Sequence, residues 1–152
     1  MNLDAIPDGA HVLIDANVFV YAMQGISIQC QRLLQRCARD QAVGVLSTHI
    51  LAEVQHVLMI AEARDSGWIQ GTNPAKQLSR QPERVAALRR YEFLIRDILG
   101  MGFQLESLHR EDFLSALEIQ HQSGLLTNDA LLAALGLRLG VRSLASADMA
   151  FE

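Results

Sequence analysis

The rhythm of short, continuous apolar runs separated by helical patterns constrains this chain more than any other feature. His11 to Ile14, Val43 to Leu46, Phe103 to Leu105 and Val141 to Ala145 read as strands. The runs do not alternate with polar residues, as expected for strands covered on both faces. Helical patterns fill the gaps: Asn17 to Met23, Ser27 to Arg39, Thr48 to Arg64, Glu83 to Leu99, Glu111 to Gln122, and a last helix that Asn128 caps and that runs to Leu139. Ile50, Val54, Val57, Leu58 and Ala61 form one stripe. In Glu83 to Leu99, Leu88, Tyr91, Leu94, Ile95 and Ile98 face inward and Arg89, Arg90, Arg96 and Asp97 outward. Ser66 to Pro82, with Gly67, Gly71, Asn73, Pro74 and Pro82, reads as a loop. Strand and helix in alternation predict a parallel sheet with right-handed crossovers. The expected fold is one three-layer α/β/α domain over residues 1–152, with a central, mostly parallel sheet of four or five short strands.

Composition narrows the function classes. The chain has 152 residues, long enough to bury a real core, and half of them are apolar. Net charge is −4, so no overall basic character announces nucleic acid; a local patch or bound metal ions can still supply positive charge. Cys30 and Cys37 lie seven apart in one helical pattern, too far to bridge, and read as small buried hydrophobes in a reducing compartment. The first twelve residues carry Asp4, Asp8, Pro7 and Gly9 and no basic segment, so no signal peptide is expected. No apolar run has the length of a membrane span, and a cytoplasmic protein is expected.

Four carboxylates carry the chemistry. Asp15 follows Val12-Leu13-Ile14 directly, at the carboxyl end of the first strand, and Asp148 follows the run ending at Ala145. In open α/β sheets the ligand crevice lies outside those strand ends. Glu53 has Ile50, Val54 and Val57 as helical neighbours and so points to the apolar side, where an unpaired carboxylate is costly. Asp129 opens the last helix, with Leu132 and Ala133 as turn-mates, and is expected to point inward at the positive end of the helix dipole. Each acid alone has an ordinary explanation: a turn residue for Asp15 and Asp148, a helix-start charge for Asp129, an arginine partner for Glu53. Jointly they suit a cage of hard oxygen donors for metal-assisted phosphodiester cleavage.

At these residues the chain resembles the PIN-domain family. Val12-Leu13-Ile14-Asp15-Ala16-Asn17-Val18 is similar to its opening strand and D-x-N signature. Leu46-Ser47-Thr48-His49-Ile50-Leu51-Ala52-Glu53-Val54 is similar to its second motif, and Leu126-Thr127-Asn128-Asp129-Ala130-Leu131-Leu132-Ala133-Ala134 to its third. Leu144-Ala145-Ser146-Ala147-Asp148-Met149-Ala150-Phe151 looks like the fourth, with Ser in place of Thr. The resemblance covers nearly the whole chain and implies a Mg²⁺- or Mn²⁺-dependent endoribonuclease. Its small VapC-type toxin members imply a cognate antitoxin and frequently a homodimer. It makes Asp15, Glu53, Asp129 and Asp148 metal ligands, directly or through water. Asn17 and Ser146 become groups that hold carboxylates or water, a role Asn128 shares unless it only caps its helix.

Two departures stand out. Relatives usually continue into a further strand past the position of Glu152, and the stretch Ser66 to Pro82 is long. Trp68 and the Arg80, Arg84, Arg89 and Arg90 series lie in or beside that stretch, either as a base-stacking and phosphate-tracking surface or as a solvated loop and charged helix face. His11, His49, His56, His109 and His121 do not cluster in sequence and read as core or surface residues rather than ligands. Two other functions compete. An aspartyl phosphotransferase built on Asp15 needs a second Asp where Asn17 stands and an essential lysine, and Lys76 in the loop is the only lysine. A non-catalytic scaffold that binds RNA or protein has to tolerate four acids repelling one another.

Overall fold

The computed structural model describes residues 2–147. After a 3-10 turn at Leu3–Ala5, the elements are β1 (His11–Ile14), α1 (Ala16–Met23), α2 (Ile28–Ala38), β2 (Val43–Ser47) and α3 (Thr48–Asp65). They are followed by α4 (Pro74–Ser79), α5 (Pro82–Ala87), α6 (Arg90–Gly100), β3 (Gln104–Glu106), α7 (Arg110–Ser123), α8 (Thr127–Leu139) and β4 (Ser143–Ala145).

The four described strands form an all-parallel sheet in the order β3-β2-β1-β4. In the central strand β1, Val12, Leu13 and Ile14 are all buried, so both faces are covered. Register places Val12 beside Gly44. The α carbon of Gly44 lies under the Phe103 ring and the Cys37 thiol of α2, which puts α2 on that face. Leu13 points the other way, against Gly136 of α8. The crossovers β1-to-β2 and β2-to-β3 step outward in one direction. The crossover β3-to-β4 returns past them to the other side of β1. By the right-handed rule, α1, α2, α3 and α6 lie on one face and α7 and α8 on the other, while α4 and α5 pack in a small second core beside α3. The three-layer α/β/α expectation therefore holds, and the order of the strands reverses between β1 and β4.

Two expectations need correction. Ser66 to Pro82 is not all loop, because it contains α4. Asn73 adopts a left-handed φ of 57° just before Pro74, which opens that helix. Gln77 ties the segment down through bonds with the Gln70 backbone at 3.1 and 2.6 Å and the Thr72 carbonyl at 2.8 Å. Nor is Glu83 to Leu99 one helix. It breaks at Leu88, which is extended (φ −64°, ψ 137°) and buried in a small second core with Ala63, Ile69 and Leu78. Glu62 of α3 permits the break by accepting the otherwise orphaned backbone N–H groups of Arg89, Arg90 and Tyr91 at 2.9, 3.0 and 2.9 Å.

Candidate metal centre at the carboxyl edge of the sheet

Asp15 leaves β1 and becomes the N-cap of α1, its Oδ1 accepting the Ala16 N–H at 2.7 Å. Its own backbone N–H reaches across to the Ala145 carbonyl of β4 at 2.9 Å, so the ends of β1 and β4 are held together. Asn17, the second residue of α1, extends that join. Its amide donates to Ser146 Oγ at 3.3 Å, and its Oδ1 accepts the Ala147 N–H at 2.9 Å. The residues that lead into Asp148 are thus fixed from α1. Asp148 itself lies outside the described residues.

Glu53 is half-buried on α3, and Asp129 is exposed in the first turn of α8. The inward orientation expected of Asp129 is corrected in that respect: it is solvated, yet near enough to Glu53 for its charge to be felt. Burial pushes the Glu53 carboxyl above its ordinary range, and the negative charges of Asp15 and Asp129 push it further. Three acids from three separate elements therefore share one electrostatic neighbourhood. Asn128 does not cap α8. The capping position is Leu126, which has no side chain able to do so, and Asn128 lies within the first turn. Its carbonyl has a different use.

His49, which the sequence reading set aside, stands in this neighbourhood. Its Nε2 meets the Asn128 carbonyl at 3.4 Å, and its Nδ1 meets the buried Ser47 hydroxyl. A carbonyl can only accept, so Nε2 carries the proton and Nδ1 accepts from Ser47. Burial lowers the His49 pKa and outweighs the opposing pull of the Asn128 carbonyl and the Asp15 charge, which favours this neutral ring. Its Asn128 partner is 79 residues away, too far for any local pattern to signal.

A cleft of about 870 Å³ opens between α8 and β4, lined among others by Asp15, Asp129, Leu132, Leu144 and Ser146. Arg142 is the one basic residue in that lining, and no sequence pattern singled it out. The cleft runs along β4 from Arg142, before the strand, to Ser146, past it, and its Asp15–Ser146 end lies where the order of the strands reverses, the usual place for a ligand in such sheets. By contrast, Arg84, Arg89, Arg90 and Trp68 gather beyond the far end of α3, and Glu53 and Asp65 alone are separated by about 18 Å of helix. There Arg84 lies over the Trp68 ring at 5.3 Å, Arg90 pairs with Asp65 at 2.7 Å, and the Arg89 guanidinium bonds the Ala86 and Leu88 carbonyls at 2.9 and 3.0 Å. The structure does not bring this group to the carboxylates.

The donor chemistry at the site suits a hard divalent cation: carboxylate oxygens that mutually disfavour their charge, with Ser146 and Asn17 alongside. Among the described residues no three His, Cys, Asp or Glu side chains are grouped closely enough to hold an ion by themselves. No described helix is long and apolar enough to cross a membrane.

Comparison with known proteins agrees with this architecture. Among solved structures, the chain is similar to VapC20 of Mycobacterium tuberculosis, a Sarcin-Ricin loop cleaving toxin, at 14% identity and a TM-score of 0.55, covering 92% of this chain and 93% of that one. It is also similar to a chain of VapBC2 from Rickettsia felis, in a crystal structure bound to a DNA fragment from their promoter. That match has 16% identity and a TM-score of 0.52, covering 90% of this chain and 86% of that one. At such identities these likenesses concern the fold. No curated protein sequence matches the chain. A family model described as PIN domain matches residues 12–152, so the chain belongs to the PIN-domain family.

Proposed function

We propose that this protein is a metal-dependent endoribonuclease that hydrolyses RNA phosphodiester bonds at the Asp15, Glu53, Asp129 and Asp148 centre. The observation that carries the reading is that Asp15, after β1, and Asp129, at the start of α8, both act by charge on Glu53 of α3, so that acids from three elements share one electrostatic neighbourhood. Such mutual repulsion is costly in a resting protein unless a cation offsets it. Membership of the PIN family and the likeness to an RNA-cleaving toxin support RNA as the substrate.

In this reading Asp15, Glu53 and Asp129 would hold Mg²⁺ or Mn²⁺ together with Asp148, directly or through water, since the three described acids do not form a closed ligand group by themselves. A divalent cation bound there would supply Lewis-acid polarisation of the scissile phosphate. The chain's own residues do the remainder. Asn17 holds the Ser146–Ala147 turn in register with α1. Leu132 and Leu144 give the cleft an apolar wall that limits water. The likeness to VapBC2 supports extending the proposal to the toxin role with a cognate antitoxin as partner, and the family resemblance adds a second copy of the chain.

The test is cleavage of a labelled single-stranded RNA and a structured RNA by wild type and Asp15→Asn, each with Mg²⁺, Mn²⁺ or EDTA. Metal-dependent cleavage that the variant lacks is expected, with a loss of at least about a hundredfold. Cleavage that survives both EDTA and the substitution refutes the centre. Absence of both cleavage and metal binding in the wild type shifts the reading to a non-catalytic RNA- or protein-binding scaffold.

A further inference from the structure

The start of α8 is poorly secured for an element that carries a functional acid. Leu126, at the capping position, has no side-chain acceptor for the orphaned amides of the first turn. Residues 121–129 are exposed throughout. Ala130 is buried against Ala116 and its N–H bonds the Leu126 carbonyl at 2.9 Å, but this holds the turn only from beneath. Among the described residues, the one side-chain hydrogen bond that ties this turn to another element comes from His49, at the Asn128 carbonyl.

His49 is itself braced. Ser47 occupies the capping position of α3, where a serine ordinarily accepts a bond from the helix's first amides. It makes no such bond, and its buried hydroxyl meets His49 Nδ1 instead. The cap of α3 is forgone and the imidazole is fixed in orientation. Glu53 follows His49 by four residues and so lies on the same face of α3 one turn further on. His49 faces Asn128 while Glu53 feels the charge of the next residue, Asp129. The bond from His49 thus acts beside the two like charges that push α3 and the first turn of α8 apart.

We infer that His49 is a positioning residue: braced by Ser47, it holds the Asn128 carbonyl and so fixes Asp129 at its working separation from Glu53. The inference rests on the metal-centre reading above for its purpose, and on the Ser47–His49–Asn128 geometry for its substance. His49 acts through the Asn128 backbone and is not itself placed as a ligand.

The test compares wild type, His49→Phe and His49→Gln. Phe keeps a ring in the space without the donor; Gln carries an amide N–H that can reach the same carbonyl. Two readouts are taken: Mn²⁺ affinity by calorimetry, and amide exchange at Ala130 and Leu131 without metal, with urea midpoints to confirm that each variant is folded. His49→Phe is expected to raise the Mn²⁺ dissociation constant at least about tenfold, as removal of an outer support typically does. It should also speed exchange of the two amides about fivefold, the loss of one ordinary hydrogen bond. His49→Gln should recover part of both. A His49→Phe variant that matches wild type in affinity and exchange overturns the inference, as does a His49→Gln variant that is as impaired as Phe. If the wild type takes up no Mn²⁺, the metal-centre reading falls, and the exchange measurement still decides whether His49 braces α8.

Discussion

Gly44 sits in the middle of β2, where a glycine ordinarily weakens a strand. Its place is explained by what lies above it. A β carbon there would stand 2.5 and 2.7 Å from the Phe103 ring and 3.0 Å from Cys37 Sγ. The ring is in turn held edge-on against Phe19, with centroids 5.3 Å apart. It has little freedom to yield, so Gly44→Ala should destabilise the protein by about 1–3 kcal/mol, read as a lowered urea midpoint at unchanged slope. An unchanged midpoint would mean that Phe103 moves aside freely. At this scale the sequence pointed to the acids and, through the family resemblance, to Asn17 and Ser146 beside them, which the structure joins; it did not point to His49. Asp15 was legible because it directly follows an apolar run, and Glu53 because its helical neighbours are apolar. His49 and Arg142 were not, because each gains its place through tertiary contacts. Asn128 was misread as a cap for a similar reason: a polar residue before a helix suggests capping, but the helix begins a residue earlier and offers His49 its carbonyl instead.

Among the elements, the α7–α8 pair is fastened by an ion pair between a buried carboxylate and a partly exposed arginine. Asp112 lies at the start of α7 with its side chain 2% exposed, and it accepts Arg138 Nε of α8 at 2.9 Å and the His109 backbone N–H at 2.7 Å. Arg138 also bonds the Ser107 carbonyl, at 2.9 Å, which pins the exit from β3. Burial alone raises the Asp112 pKa. The hydrogen bonds from the Arg138 side chain and the His109 backbone, with the Arg138 charge, outweigh it and hold the group below its ordinary value of 3.8. A carboxyl lowered on folding contributes stability above its unfolded value and loses it as pH falls through the folded one. Wild type should therefore lose more stability between about pH 5 and pH 2 than Asp112→Asn, which has no such proton to take up. At neutral pH, Asp112→Ala should cost about 2 kcal/mol through its lost charged hydrogen bonds. Parallel acid profiles for wild type and Asp112→Asn would rule out this fastening. The element boundaries were readable wherever local signals set them, as at Gly124 and Gly140, both with left-handed φ. The break at Leu88 was not, because the acceptor that allows it, Glu62, comes from another helix.

Across the whole molecule, sheet order explains why acids distant in sequence meet. β1 and β4 are neighbours, the crossover that leaves β1 and the one that enters β4 lie on opposite faces, and the gap between the strands at the carboxyl end is the natural crevice. The alternation of runs and helices foretold the parallel sheet. It did not foretell the order β3-β2-β1-β4, since strand neighbours depend on which face each crossover covers. In this arrangement a net charge of −4 is consistent with an anionic substrate, because the repulsion is concentrated where a cation can relieve it. The centre should then behave as a destabilised region that metal repairs. Without metal, Asp129→Asn should be at least as stable as wild type, since it removes a charge beside Glu53. With Mn²⁺ at a hundred times its dissociation constant, wild type should gain about 2.7 kcal/mol, a rise in Tm of about 5–10 °C for a domain of this size. Asp129→Asn should show little of that rise. Equal shifts in the two proteins would place the ion elsewhere, and a variant less stable than wild type without metal would show that Asp129 is a structural helix-start charge rather than part of a cation site.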